Sequence, residues 1–292
     1  MTNQTSTQPN IPPLRTNQPL PAQYRLTSVI RLPSFSGRGV YNEATLYHDD
    51  ATVRVSWHSC QVDSRLKRGC YVEIRGGAQK APGDGDCMPI TRLELLDKPL
   101  PGINPFEMLP SNWVGDRELI GRAINLWGQV SRPFQHLLNA VFWDAGRFYR
   151  FVTGPASLAL DARFPNSNFR HAVATAEQVV LLSNGLPDVS RSILIVAALL
   201  HDAGKADDFR LSPDTDGYVY SERGLWVGYQ HTILEWLAVA RARVIVPDAH
   251  YLALVHALIA ARGATGGGET KSTEAIMLAV ADQMARTTRS LI

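Results

Sequence analysis

The sequence predicts an α+β multidomain chain: a small five-stranded β-barrel near the N-terminus, followed by an all-α domain. Three observations carry this. Between Tyr24 and Leu96 the apolar residues come in short alternating runs, each stopped by turn formers, which is the period of half-buried strands. From Trp113 onward the apolar spacing becomes that of helices. Between the two, residues 97–112 (DKPLPGINPFEMLPSN) hold four prolines, a glycine and two asparagines, the composition of a linker.

The strands are expected at Tyr24–Leu32, Glu43–Tyr47, Thr52–Trp57, Cys70–Arg75 and Ile90–Leu96, with breaks at Ser36–Gly39, His48–Asp50, Lys67–Gly69 and Pro82–Asp86. Five short strands in this span fit a closed barrel of the oligonucleotide/oligosaccharide-binding (OB) kind. Ahead of it, residues 1–22 are rich in Thr, Asn, Gln and Pro and read as a disordered arm. The barrel offers aromatic plates interleaved with cations, as single strands need: Arg31, Tyr47, Arg54, Trp57, His58, Lys67, Arg68, Tyr71 and Arg75. Eleven Lys and Arg against nine Asp and Glu over residues 23–98 give it no strong basic bias.

Helices are expected at Asp116–Val130, Pro133–Asp144, Gly146–Ser157, Phe169–Ser183, Tyr229–Val244, Asp248–Arg262 and Thr273–Leu291. The aromatic cluster Phe148, Tyr149 and Phe151 reads as core. The central element is Ile193–Lys205, ILIVAALLHDAGK. Its unbroken apolar run to Leu200 predicts a buried helix, and His201 and Asp202 stand at its end. Gly204 supplies backbone freedom to leave the helix, and Lys205 places a cation where a phosphate oxygen would lie. Residues 206–228 form a polar excursion, long enough for a lid or substrate loop.

Composition bounds the rest. The chain has 292 residues, 45% hydrophobic and 19% charged, with net charge +2, so no global field announces a partner. Cys60, Cys70 and Cys87 are odd in number without CxxC spacing and read as reduced thiols. No apolar run reaches the roughly 18 residues of a membrane span, and the first residues lack the basic and apolar regions of a secretory signal. The expectation is a cytoplasmic protein with no membrane partner.

An imidazole and a carboxylate side by side suit a borderline divalent metal, although His and Lys also favour a helix C-terminus on dipole grounds alone. Asp282, on an otherwise apolar helix stretch, needs a partner if buried; Arg286 at i+4 or a metal ion would serve. His171, in the first turn of its helix, completes the order His…His-Asp…Asp.

That order, with HDAGK as its centre, resembles the HD phosphohydrolase superfamily, an all-helical metal-dependent group. The layout is similar to the YhaM-type 3′–5′ exoribonucleases, with an OB-like barrel, a Pro-rich connector and an HD domain. Local texture at His136–Asn139 (HLLN) and Gly228–His231 (GYQH) agrees. The resemblance implies four parts: a 1–22 arm, a barrel over 23–97, a linker with connecting helices over 98–160, and an HD domain over 161–292. It implies a divalent metal, manganese first with Fe, Ni, Mg or Zn as alternatives, held by His171, His201, Asp202 and Asp282. Asp202 would orient or deprotonate the attacking water, and Lys205, with His231 or Arg262, would offset phosphoryl charge. Single-stranded RNA or DNA is the implied substrate, bound at Arg31, Tyr47, Arg54, Trp57, Lys67, Arg68, Arg75 and Arg262, in a homo-oligomer.

Two departures from the family pattern matter. Ala261 and Arg262 stand where a His-His pair is expected, and Ala162-Arg163-Phe164 with Asn166–Arg170 replace another His pair and a Gly-Gly-Leu turn. One metal per chain is therefore expected. Two alternatives stay open: a degenerate HD protein that only binds nucleic acid or acts as a scaffold, and a nucleotide phosphohydrolase.

Overall fold

The computed structural model describes residues 20–34, 39–48, 51–77, 86–159, 164–214, 217–261 and 272–289. Most of the expected N-terminal arm, and Arg262, lie outside the described residues. The chain is α+β and forms two compact units, Met1–Asp97 with Glu107–Arg117, and Lys98–Phe106 with Glu118–Ile292.

The first unit is a six-stranded sheet: β1 (Tyr24–Pro33), β2 (Val40–His48), β3 (Ala51–Ser59), β4 (Tyr71–Arg75), β5 (Cys87–Pro89) and β6 (Arg92–Leu95), in the order β5-β3-β2-β1-β4-β6. The expected fifth strand, Ile90–Leu96, is shorter and has a companion. Ile90 and Thr91 make the corner between β5 and β6. The Ile90 N–H donates to Ser56 on β3 (2.8 Å) and the Thr91 N–H to Arg75 on β4 (3.1 Å). Two consecutive residues thus bond to strands on opposite sides of the sheet, so the sheet must curl on itself as a half-barrel. Leu26, Leu46, Val53, Val55, Trp57, Val72 and Met88 fill its inside.

The Pro-rich stretch is not a solvated tether. Met108, Leu109, Trp113 and Val114 are buried, and Arg25 is what holds them to the sheet. This guanidinium, 0% exposed, donates to the carbonyls of Met108 (2.7 Å) and Gly69 (2.9 Å) and to the Tyr71 hydroxyl (2.5 Å). It also lies over the rings of Tyr71 and Trp113, at 4.3 and 5.4 Å from their centroids. Planar, forked donors let one buried cation serve three separated acceptors, which Lys could not do.

The second unit is helical: α1 (Arg117–Gly128), α2 (Arg132–Val141), α3 (Ala145–Thr153), α4 (Ser167–Leu182), α5 (Arg191–Leu200), α6 (Lys205–Asp208), α7 (Glu222–Trp226), α8 (Tyr229–Arg241), α9 (Asp248–Ala260) and α10 (Thr273–Arg289). A hairpin of β7 (Phe209–Leu211) and β8 (Tyr218–Tyr220) stands between α6 and α7, so much of the expected loop over 206–228 is ordered structure. Ser190 caps α5, its hydroxyl accepting from the Ile193 N–H. All eight apolar residues of Ile193–Leu200 are at most 4% exposed, because α2, α4, α9 and α10 pack around this helix. Phe106, Phe142, Phe148, Phe151 and Phe169 form an aromatic core beside it, with centroids 4.9–6.1 Å apart. None of the helices is long and apolar enough to cross a membrane, among the described residues.

Replacing Arg25 by Met keeps the stem but strands three buried acceptors. The expected cost is about 3 kcal/mol, read as a lower urea midpoint. An unchanged midpoint would refute the role given to Arg25.

Candidate metal centre

Four side chains from three helices converge in the helical unit. His171 lies in the second turn of α4, His201 and Asp202 follow the last residue of α5, and Asp282 sits midway along α10. α4, α5 and α10 pack on one another, which brings residues 111 positions apart into contact. The His171 Nε2 is 2.9 Å from Asp282 Oδ1 and 3.3 Å from His201 Nε2. His201 Nε2 is 3.5 Å from Asp282 Oδ1, and each imidazole Nε2 is 3.7 Å from Asp202 Oδ2. His171, His201 and Asp202 are buried, with donor atoms all within 4.8 Å of one another.

These spacings fit a shared ion. Donors about 2.1 Å from a metal, at tetrahedral or octahedral angles, lie about 3.0–3.4 Å apart. The His201 tautomer fits too. His201 Nδ1 is 2.7 Å from the Ala198 carbonyl, which can only accept, so Nδ1 carries the proton. In the neutral ring Nε2 is then a bare lone pair turned towards His171 and both carboxylates. Two imidazoles and two carboxylates form a borderline donor set for a divalent ion; its identity does not follow from the donors.

Burial pushes the His171 ring towards its neutral form, against the pull of Asp282. It also works against the Asp202 carboxylate, but His201, Lys205 and His171 outweigh it and hold that group well below the usual carboxylate range. For Asp282, burial is likewise outweighed, first by the hydrogen bond with His171 and also by the Arg286 guanidinium. A site that keeps its imidazole neutral and its carboxylates ionised is prepared for a cation.

The chain matches no protein-family model, no curated protein and no solved structure. The site is therefore read from its own residues.

Lys205 donates to Asp202 Oδ2 at 2.5 Å, and its ammonium lies 5.0 Å from the Tyr229 ring centroid. Gly204 has a role other than the expected backbone freedom, for its φ of −59° is ordinary helical geometry. It is needed for space: a Cβ there would lie 2.2 Å from the Tyr229 carbonyl oxygen. Buried Asp208 accepts the Tyr229 N–H at 2.9 Å, so α6 grips the start of α8 and sets Tyr229 under Lys205. Sequence reasoning missed Asn168, fully buried one turn before His171, whose Nδ2 is 3.4 Å from the Asp202 carbonyl. Its spacing of three from His171 on one helix face was the available signal. Arg286 does pair with Asp282, donating to both oxygens at 3.0 and 2.7 Å, while the imidazoles face the same carboxylate. His231 is exposed, with Nδ1 donating to the Val227 carbonyl. Among the described residues no bond ties it to the cluster. Beyond Lys205 the hairpin and α7 wall a groove of about 710 Å³, with Arg150, Asp207, Phe209, Arg210, Tyr220 and Arg223 among its lining.

The expected nucleic-acid residues of the sheet divide into two sets. Tyr47 and Trp57 are core, 0% and 6% exposed, as is Tyr71; rings so placed cannot stack on bases. The Tyr47 hydroxyl accepts from Arg117 (3.1 Å), and Arg31 donates to the Asp63 and Leu66 carbonyls (3.0 and 2.8 Å). Arg54 and Arg75 are exposed and paired, Arg54 with Glu43 and Arg75 with Glu73 and Glu94. Lys67 and Arg68 are exposed, with Arg68 over the Trp113 ring at 5.7 Å. Register sets Leu32, Tyr41 and His58 in one row across β1, β2 and β3, with the Tyr41 and His58 rings 5.2 Å apart. Leu32 and His58 in that row are exposed.

Two outcomes follow. The unfolded chain takes up protons at a His near pH 6.5 and at carboxylates near pH 4, whereas His171, Asp202 and Asp282 resist both. Metal-free protein should therefore lose stability as pH falls through about 6.5 and again through about 4; urea midpoints equal at pH 7.5 and 5 would contradict a buried neutral His171. Gly204→Ala should cost about 2 kcal/mol through overpacking and shift the Lys205 ammonium resonance, and a neutral substitution would remove Tyr229 as the reason for the glycine.

Proposed function

We propose that the helical unit is a metal-dependent phosphohydrolase of the HD kind. The observation that carries this is the convergence of His171, His201, Asp202 and Asp282 at ligand-to-ligand spacing, with a lysine on one of the carboxylates. A divalent ion held there, manganese by preference, supplies Lewis acidity that draws the pKa of water from about 15.7 towards neutrality.

The chain's own groups supply the rest. The Ala198 carbonyl accepts the His201 Nδ1–H and so turns the Nε2 edge of the ring towards the other ligands. Asp202, ionised and held by Lys205 and Asn168, orients the attacking water and accepts its proton. Lys205 is the cation nearest that carboxylate and turns to the phosphoryl oxygens as charge develops on them. To the groove lined by Arg150, Ala206 and Arg223 we assign the part of the substrate beyond the scissile bond.

Single-stranded RNA or DNA is the substrate we assign, cleaved as in a 3′–5′ exonuclease, with the curled sheet as an OB-like binding module. The row Leu32, Tyr41 and His58 replaces Tyr47 and Trp57 as its stacking surface. Burial of those expected plates favours a second reading, a nucleotide phosphohydrolase, since a mononucleotide needs no such surface.

Manganese-loaded full chain should hydrolyse a single-stranded oligonucleotide faster than a nucleoside monophosphate. Asp202→Asn should lower that rate at least about a hundredfold and remove about one bound ion per chain. Full activity in Asp202→Asn would overturn the assignment. Preference for the mononucleotide would select the second reading.

A further inference from the structure

Each carboxylate of the cluster has its own cation. Asp202 has Lys205 at 2.5 Å, and Asp282 has Arg286 on both oxygens at 3.0 and 2.7 Å. Two negative and two positive groups balance without any ion. The two cations are held differently. The Lys205 side chain is 14% exposed and lies over the Tyr229 ring, whereas that of Arg286 is 53% exposed on the outer turn of α10. The Arg286 Nε also shares Asp282 Oδ1 with the His171 Nε2, the oxygen that faces the two imidazoles.

We propose that Arg286 stands in for the metal's charge on Asp282, and that a divalent ion releases it to bind a substrate phosphate. The inference rests on the phosphohydrolase reading and adds a residue to it. An incoming ion and the guanidinium compete for one carboxylate oxygen, and two cations on it repel. Once the ion is in, the site changes from balanced to an excess of two positive charges. The forked guanidinium, on an exposed side chain, then exchanges Asp282 for two oxygens of a phosphate. Phosphate affinity is thereby coupled to metal occupancy, since each ligand biases the position of the same side chain.

The coupling gives Arg286 opposite effects on the two ligands. In Arg286→Gln an uncharged amide can still hydrogen-bond Asp282, so orientation is kept while the charge is lost. By calorimetry on the full chain, Mn²⁺ alone should bind this variant about three- to tenfold more tightly than wild type. Inorganic phosphate, added to the Mn²⁺-loaded protein, should bind it about tenfold more weakly. Arg286→Lys should keep phosphate binding within about threefold of wild type, and wild type without Mn²⁺ should bind no phosphate. Equal or weaker Mn²⁺ binding by Arg286→Gln would mean that Arg286 only orients Asp282, and the exchange would be refuted. Tighter Mn²⁺ binding with unchanged phosphate affinity would refute the handover. Wild type that binds no Mn²⁺ would instead sink the metal-site reading on which both rest.

Discussion

The helical unit depends on burying two imidazoles and a carboxylate, beside a second, half-buried carboxylate, where three helices meet. Asp202 is 1% exposed and stands on the end of a helix whose last eight residues are wholly apolar. An unpaired carboxylate there would cost several kcal/mol. Everything around it offsets that cost. Lys205 supplies charge, Asn168 takes the backbone carbonyl, and the imidazoles fill the remaining directions. Gly204 and Asp208 act at one remove, by holding the start of α8 close against the turn, with the Tyr229 ring beside the Lys205 ammonium. A helix as apolar as α5 is what gives the cluster its rigidity. Its packing leaves His201 and Asp202 little room to move, as a preorganised site requires.

The sheet unit solves a different problem with the same economy of charge. Arg25 is buried, and burial lowers its affinity for the proton. Three neutral acceptors and two aromatic faces hold the cation. One of the acceptors belongs to Met108, which explains why a stretch rich in proline joins a sheet it cannot extend: its backbone carbonyls, which proline leaves intact, do the bonding.

What was legible in the sequence followed from local periodicity. The apolar run of α5, the strand alternation and the aromatic core of α3 all report a face towards the interior. The order His171, His201-Asp202, Asp282 was legible because each residue type is costly on a buried helix unless it meets the others. Periodicity does not say which end of an amphipathic ring is wet, so Tyr47 and Trp57 read as surface plates and proved to be core, while Tyr41 drew no notice. It does not show partners far apart in the chain either. Arg25 meets Met108 across 83 residues, and no local signal marks that pair. Gly204 was legible as necessary for the wrong reason: glycine signals turn freedom and close approach alike, and only the position of Tyr229 tells them apart.

Charge also bears on how many ions the cluster holds. With Lys205 and Arg286 in place, one divalent ion already leaves Asp202 and Asp282 with two positive charges in excess. A second would need further anionic ligands. Among the described residues the nearest candidates in sequence are Asp207 and Asp208. Asp207 is engaged by Arg150 and by the Trp236 indole. Burial favours the protonated form of Asp208, whose Oδ2 holds the Tyr229 N–H. Freeing Asp208 would loosen the start of α8 under Lys205, and freeing Asp207 would break its ties to α3 and to the middle of α8. In a cluster that could hold a metal ion, Lys205 and Arg286 are thus what make a second one unfavourable.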